Sequence, residues 1–320
     1  MGIKWSSKIR RRFNRAMNPV GSDSGLGDLL DTLWSGVGTY EKRYYVDGTN
    51  GNDSSSGETP DDAFATYTKA RTVSNASISW SATPKRRNLI VVMAGTYAET
   101  FMPPYYADVV GLGTLGPDTS AKFKPAAGSA LAYSTTPTLG MTLLSTGLYN
   151  LWFESVDATP VARITTMQGS IIDGCMFYSG GSSTYGIHMG CNSSPTGMKS
   201  SIIRNSRFAT GNTVLTHGIY FDEGANVYFH NSVVKDCNIR SSTAGIYIAA
   251  NCTATLGLIK GNFIARPTKG IDDNNGNSYC FGNWITAGTD AIEHANSSTQ
   301  CIDNHVINNA TGAVEASGTS

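Results

Sequence analysis

The sequence has no apolar run of the ~18 to 20 residues that a membrane-spanning helix needs, so no membrane span is expected. It is also poor in charge, with 24 Lys and Arg against 24 Asp and Glu in 320 residues. Because the signs balance, no global field selects nucleic acid or an acidic partner. No CxxC pair and no zinc-type Cys/His spacing occurs. The six cysteines, Cys175, Cys191, Cys237, Cys252, Cys280 and Cys301, therefore read as small buried hydrophobes. HExxH, GxSxG, a P-loop and the GGxGxD calcium repeat are missing as well. The five histidines, His188, His217, His230, His294 and His305, read singly as surface or turn residues. The opening "MGIKWSSKIRRRFNRAM" is basic. It is not followed by the ~7 to 15 apolar residues of a secretory signal, which sets an expectation of synthesis in a cytoplasm. What is plentiful is glycine, 35 residues, with Ser, Thr and Asn along the whole length. That mixture suits an all-β protein with many turns.

The second half repeats itself. Six segments share one pattern: "IDGCMF" (172–177), "IRNSRF" (203–208), "VKDCNI" (234–239), "IKGNFI" (259–264), "CFGNWI" (280–285) and "CIDNHV" (301–306). Successive starts are 31, 31, 25, 21 and 21 residues apart. Each is followed by a second element, "GIHM" (186–189), "GIYF" (218–221), "GIYI" (245–248), "GIDD" (270–273), "AIEH" (291–294) and "AVEA" (313–316). Two locked elements per period, with length variation between them, describe solenoid coils carrying loop insertions. The strands are short and alternate in polarity, which excludes a helical solenoid.

The fold class expected is all-β, a single-stranded right-handed parallel β-helix, with rungs about 4.8 Å apart. One inward column would be Ile172, Ile203, Val234, Ile259, Cys280 and Cys301, and another Phe177, Phe208, Ile239, Ile264, Ile285 and Val306. Asn262, Asn283 and Asn304 fall at the turn between them, where a stacked amide ladder can satisfy backbone groups and tolerate left-handed angles.

On these repeats the chain resembles the pectate-lyase-like right-handed parallel β-helix superfamily, especially phage tailspikes and related virion proteins. With "NLIVVMAGTY" (88–97) and "LYNLWFES" (148–155) as earlier coils, the resemblance covers roughly residues 44 to 316. It implies a homotrimer assembled in the host cytoplasm and carried on the virion, docked to other virion proteins by its N-terminal region. It also implies a host surface polysaccharide as ligand. The fold itself hosts lyases, hydrolases, epimerases and pure binders, so it does not decide the chemistry. A pectate-lyase reading would need an Arg tied to calcium-binding acids, and no local motif ties Arg204, Arg207 or Arg240 to any.

Residues 1–43 lie outside the repeat and read as an extended or helical attachment arm. Lys4, Lys8, Arg10, Arg11, Arg12 and Arg15 surround a stripe of Trp5, Ile9 and Phe13. Nucleic-acid contact, a membrane-surface helix and a solvated tail compete with a docking peptide. A second amphipathic piece, "DSGLGDLLDTLWSGVG" with Leu30 and Trp34, favours docking and leaves no nucleic acid expected. Residues 44–320 then form the β-helix, with a strand, loop and capping helix in 44–75 and coils in 88–316. In "TPDDAFATYTKARTV" the helix is expected to start at Thr59 as N-cap with Pro60 in the first turn. Phe64, Tyr67 and Val73 would form its core-facing stripe.

The outward position of the second element gives His188, Tyr220, Tyr247, Asp272, Glu293 and Glu315 up the stack. His188, Tyr220 and Tyr247 are the candidate glycan-binding residues, helped by loops at 178–185, 190–200 and 209–217. Asp272 and Glu293, one rung apart, are a candidate glycosidase pair, with Asp222 and Glu223 as a second. "GIDDNNGN" and "DGTNGND" hold oxygen ligands in plenty but lack EF-hand order, so no metal and no cofactor are expected. Three functions stay open: a glycan-binding spike or fibre-like appendage, a polysaccharide depolymerase, and a non-binding decoration or adaptor.

Overall fold

The computed structural model describes residues 40–78, 87–132, 141–181, 183–190, 196–210, 214–222, 227–275, 277–295, 300–307 and 312–316. Residues 1–39, and with them Trp5, Ile9, Arg10, Arg11, Arg12, Phe13, Leu30 and Trp34, lie outside this set.

The chain winds as the expected parallel β-helix with three sheets. Among the described residues the first sheet stacks ten parallel strands, from Arg43–Val46 to Gln300–Ile302. The second runs from Gly95–Tyr97 to His305–Val306, and the third from Ala162–Gln168 to Gly312–Ala316 along its main column. The first inward column is one unbroken register: Tyr44, Ile90, Val109, Leu148, Ile172, Ile203, Val234, Ile259, Cys280 and Cys301. The second runs Tyr97, Phe123, Phe153, Phe177, Phe208, Ile239, Ile264, Ile285 and Val306. Both expected columns therefore point inward and extend further than the repeats alone revealed. The coil through Ala107–Gly111 and Ala121–Phe123 was not legible as a repeat. Each buried aliphatic in these columns contributes roughly 1.5–3 kcal/mol.

A third inward column, Ile187, Ile219, Ile246, Ile271 and Ile292, explains the recurring "GI". Gly186, Gly218, Gly245 and Gly270, each just before its Ile, abut the second column, whereas Ala291 takes that place before Ile292. A Cβ on Gly218 would stand 2.2 Å from Ile239 Cγ2, and one on Gly245 2.3 Å from Ile264 Cγ2. Only hydrogen fits there.

The turn between first and second sheets carries the amide ladder. Asn262 Nδ2 donates to Asn283 Oδ1 (3.0 Å) and Asn283 Nδ2 to Asn304 Oδ1 (2.9 Å). Each Nδ2 also donates to a carbonyl, of Val234, Ile259 or Cys280, and each Oδ1 also accepts a backbone N–H, from Cys237, Asn262 or Asn283. One expectation is corrected: the left-handed residue is the one before the ladder, Gly174, Asn205, Asp236, Gly261, Gly282 or Asp303. The ladder residue itself turns inward to collect the backbone groups that this turn strands. A second ladder, unnoticed in the sequence, closes the other corner. The hydroxyl groups of Ser170, Ser201 and Ser232 each accept from the N–H of the rung below, at 3.1, 3.1 and 3.2 Å.

The N-terminal end is capped as expected, but by a helix that starts later. Residues Pro60–Asp62 form a single 3₁₀ turn, and Thr59 makes no side-chain cap. The α-helix is Tyr67–Ser77, and its N-cap is Thr66, whose hydroxyl accepts from Lys69 N–H at 3.2 Å. Glu99 supplies a second anionic cap, accepting from the N–H groups of Tyr67 (2.8 Å) and Thr68 (2.9 Å). The buried face is Tyr67, Ala70 and Ser74. Phe64 lies before the helix, bridged to Val46, and Val73 packs at the margin. Tyr67 stacks on Phe101 at 4.3 Å and so closes the aromatic core.

Four cysteines, Cys175, Cys237, Cys252 and Cys280, are buried, Cys301 is partly exposed, and Cys191 lies outside the described residues. Burial pushes the thiols of Cys175, Cys237 and Cys252 up to about 12, which leaves them inert. His294 departs from the surface reading. It is buried in the column Ile164, Met189, Phe221, Ile248, Asp273, His294.

Candidate functional site

Because the Ile of each "GI" faces in, the next residue faces out. Adjacent rungs align Arg163, His188, Tyr220, Tyr247, Asp272 and Glu293 in one row, with Glu315 next in register. The row expected from the repeat is thus continuous, and Arg163 extends it downward. At about 4.8 Å per rung, His188 to Glu293 spans ~19 Å.

A neighbouring outward row, missed in the sequence, holds Tyr185, His217, Ala244, Lys269 and Asp290. Its signal was available: these residues sit just before the Gly or Ala of each second element. The two rows interlock into an aromatic platform. Tyr185 stacks on Tyr220 at 4.5 Å and 15°, and Tyr220 on Tyr247 at 4.9 Å and 9°. His217 packs between the rings, 5.2 Å from Tyr220 and 5.3 Å from Tyr247. Burial lowers His217 to about 4, so the imidazole is neutral at pH 7, and its Nδ1 is buried without a partner.

Charged groups bracket the platform. At one end His188 Nε2 and Asp222 Oδ2 are 2.9 Å apart, so Asp222 orients a ring rather than a reacting group. Glu223, its proposed companion, lies outside the described residues, as do 191–195 and 211–213 of the expected binding loops. At the other end Asp272 and Glu293 sit on adjacent rungs as expected. A single ammonium, Lys269 Nζ, clasps both: it is 3.2 Å from Asp272 Oδ2 and also paired with Glu293. Burial raises Asp272, only 5% exposed, despite that cation. Burial works to lower Lys269, yet its bond to Glu293 and the charge of Asp272 outweigh it and raise the pKa. The lysine engages both carboxylates, which a glycosidase would leave free for sugar and water.

The two oxygen-rich stretches use their oxygens internally. Asp273, fully buried, accepts from Ser278 Oγ (2.5 Å) and from the N–H of Ser278 and Asn275 (3.2 Å each). Asp47 accepts from the N–H groups of Thr49 and Asn50, and Asp53 from the N–H and hydroxyl of Thr66. Both acids tie turns together. Among the described residues no cluster of His, Cys, Asp and Glu has the makings of a metal site.

No family model matches the chain, and no curated protein matches it. Among solved structures it is similar to the pectin methylesterase from Aspergillus niger in two states. For the penultimately deglycosylated form the TM-score is 0.45 and the identity 12%, over 88% of this chain and 91% of that one. The deglycosylated form gives a TM-score of 0.44 and 14% identity over the same shares. Likeness this distant adds nothing to the architecture read from the strand pairings and says nothing of chemistry.

Proposed function

We propose that the protein is a phage virion appendage, a short tailspike or fibre-like protein of the pectate-lyase-like class. In this reading it docks through residues 1–43 to other virion proteins. Its β-helix is presented outward to bind a host surface polysaccharide. The observation that carries the reading is the continuous platform of Tyr185, Tyr220 and Tyr247 with His188–Asp222 at one end and Lys269, Asp272 and Glu293 at the other. Aromatic faces pack against the apolar faces of pyranose rings, and flanking polar groups take the hydroxyls. The lysine clasp favours binding over hydrolysis. A homotrimer is supported by apolar residues on the last coils: Phe263, Trp284, Phe281 and Ile302 are 43%, 48%, 37% and 51% exposed. Such a patch is the kind that closed symmetric interfaces cover.

The test is binding of the full chain to host-cell polysaccharide, with reducing-sugar release read in parallel. Tyr220→Ala should weaken binding about thirtyfold, the scale of losing one hot-spot aromatic. Sugar release lost in Asp272→Asn would replace the binder with a depolymerase. Absence of any glycan binding, or burial of the Tyr220 row between subunits, would leave only an adaptor. Particles that still take up a chain lacking residues 1–39, which leaves the first strand and the Tyr40–Asp108 bond in place, would refute the docking arm.

A further inference from the structure

A groove of about 570 Å³ lies on the same sheet but away from the platform. Leu144, Gln168, Lys199 and His230 form an outward row on adjacent rungs. Beside them the left-handed corner brings up Ser145, Gly169, Ser200 and Asn231, and Tyr106 closes the lower end. Gly169 leaves one rung bare: a Cβ there would project into the groove, meeting only Ser145 Oγ at 3.6 Å. Along the strand Ala162–Gln168, Gln168 of the groove lies five residue steps beyond Arg163 of the platform row. That is ~17 Å at the rise of a parallel strand.

The polarity of the groove is one-sided. Its lining contains a lysine and a histidine and, among the described residues, no Asp or Glu. Lys199 Nζ rests 4.1 Å over the Tyr228 ring, so a ring face holds it in place. The amide of Asn231 meets His230 Nε2 at 3.1 Å and fixes that ring. The remaining lining offers hydroxyls and amides from Ser145, Ser200 and Gln168, the groups that hydrogen-bond sugar hydroxyls. One cation amid neutral hydrogen-bonding groups is complementary to a sugar carrying one negative group.

We infer that this groove is a second subsite for an acidic saccharide unit, its anionic group on Lys199, on a glycan whose neighbouring units lie on the platform. The inference rests on the glycan-binding reading above and names its ligand class. Three probes test it on the full chain by calorimetry: a hexuronate tetrasaccharide, its carboxyl-reduced form, and a sulfated neutral tetrasaccharide. A charged probe should bind about tenfold tighter than the neutral one, the scale of one charge-assisted bond. The preferred charged probe identifies the anionic group. Lys199→Gln should erase that advantage and leave neutral binding intact, while Lys199→Arg restores it. Gly169→Asn, a residue that tolerates the left-handed turn, should weaken every probe by filling the bare rung. Equal binding of charged and neutral probes, or an advantage that survives Lys199→Gln, overturns the subsite. If Tyr220→Ala then still weakens binding, the platform stands without it. A charge advantage lost in Lys199→Gln but untouched by Tyr220→Ala keeps the groove and removes the platform. Binding of none of the probes overturns the subsite outright, leaving the polysaccharide assay to judge the platform.

Discussion

The coils before Thr255 and those after it solve one packing problem at two widths. In the wide coils the third sheet has a second half, whose inward residues Leu143, Met167, Met198, Phe229 and Ala254 fill extra interior. The second column there is aromatic up to Phe208, with Phe153, Phe177 and Phe208 following one another at 5.5 and 5.0 Å between ring centroids, and turns aliphatic at Ile239 in the last wide coil. In the narrow coils the second half is gone, the period falls to 21 residues, and the column becomes Ile264, Ile285 and Val306. Asp273 stands where Ile248 stood one rung below, and its bonds to Ser278 and Asn275 pull the shortened turn closed. Ring stacks fill a wide cross-section, whereas Ile and an amide ladder suit a tight one. The groove exists only where the sheet has its second half, and the aromatic platform also belongs to the wide coils. The narrow coils carry the clasped carboxylates and the exposed apolar patch.

The largest expected effect comes from breaking the wide stack. Phe177→Ala opens a cavity flanked by Phe153 and Phe208 and should cost about 3–5 kcal/mol, against about 2–5 for Ile285→Ala. A solenoid is stabilised mainly between neighbouring coils. Hydrogen exchange should therefore show the first loss confined to coils around Met176–Ser179 and the second to those after Gly257–Lys260. Equal, chain-wide loss in both variants would abolish the distinction between the two regions.

The corner ladders sharpen it next. Asn283→Ala strands the Asn262 N–H and the Ile259 carbonyl, both buried, and should cost about 2 kcal/mol. Ser201→Ala in the wide half removes one hydroxyl acceptor of the Ser170 N–H and should cost about 1 kcal/mol. Chemical denaturation of the two variants measures the difference. A serine variant as damaging as the asparagine one would mean that the ladders are interchangeable.

This difference in regularity also decided what the sequence disclosed. The narrow coils repeat with little insertion, so Ile259, Ile264 and Asn262 could be placed at their corners from spacing alone. The outward row from His188 to Glu293 followed from alternation beside each "GI". The coil at Ala107–Gly111 was hidden, because long connections separate its strands and its corner lacks the Asn or Cys signature. Tyr185 and His217 were missed because only one outward residue per element was followed. The Lys269 clasp depends on side-chain reach across a rung, which a one-dimensional pattern does not contain. Thr59 looked like an N-cap because Pro60 and two acids follow it. The chain prefers Thr66, where Glu99, distant in sequence, supplies the second cap.

The smallest effect is a pH dependence seated in the wide half. His217 titrates near 4 in the folded chain because burial among Tyr185, Tyr220 and Tyr247 penalises its charge, against about 6.5 when unfolded. Below pH ~6.5 the unfolded chain therefore binds a proton that the folded chain refuses. Stability from this group is complete above pH ~6.5 and falls as the pH drops toward 4. With partial exposure allowed for, the loss is on the order of 1 kcal/mol. His217→Gln removes the titrating group and should flatten the stability profile between pH 6.5 and 4 by that amount, as followed by urea midpoints. The amides of Leu215–Phe221 should gain protection at pH 5 relative to the parent chain. An unchanged slope would mean that the ring is solvated, and that the platform is looser than its stacking distances imply.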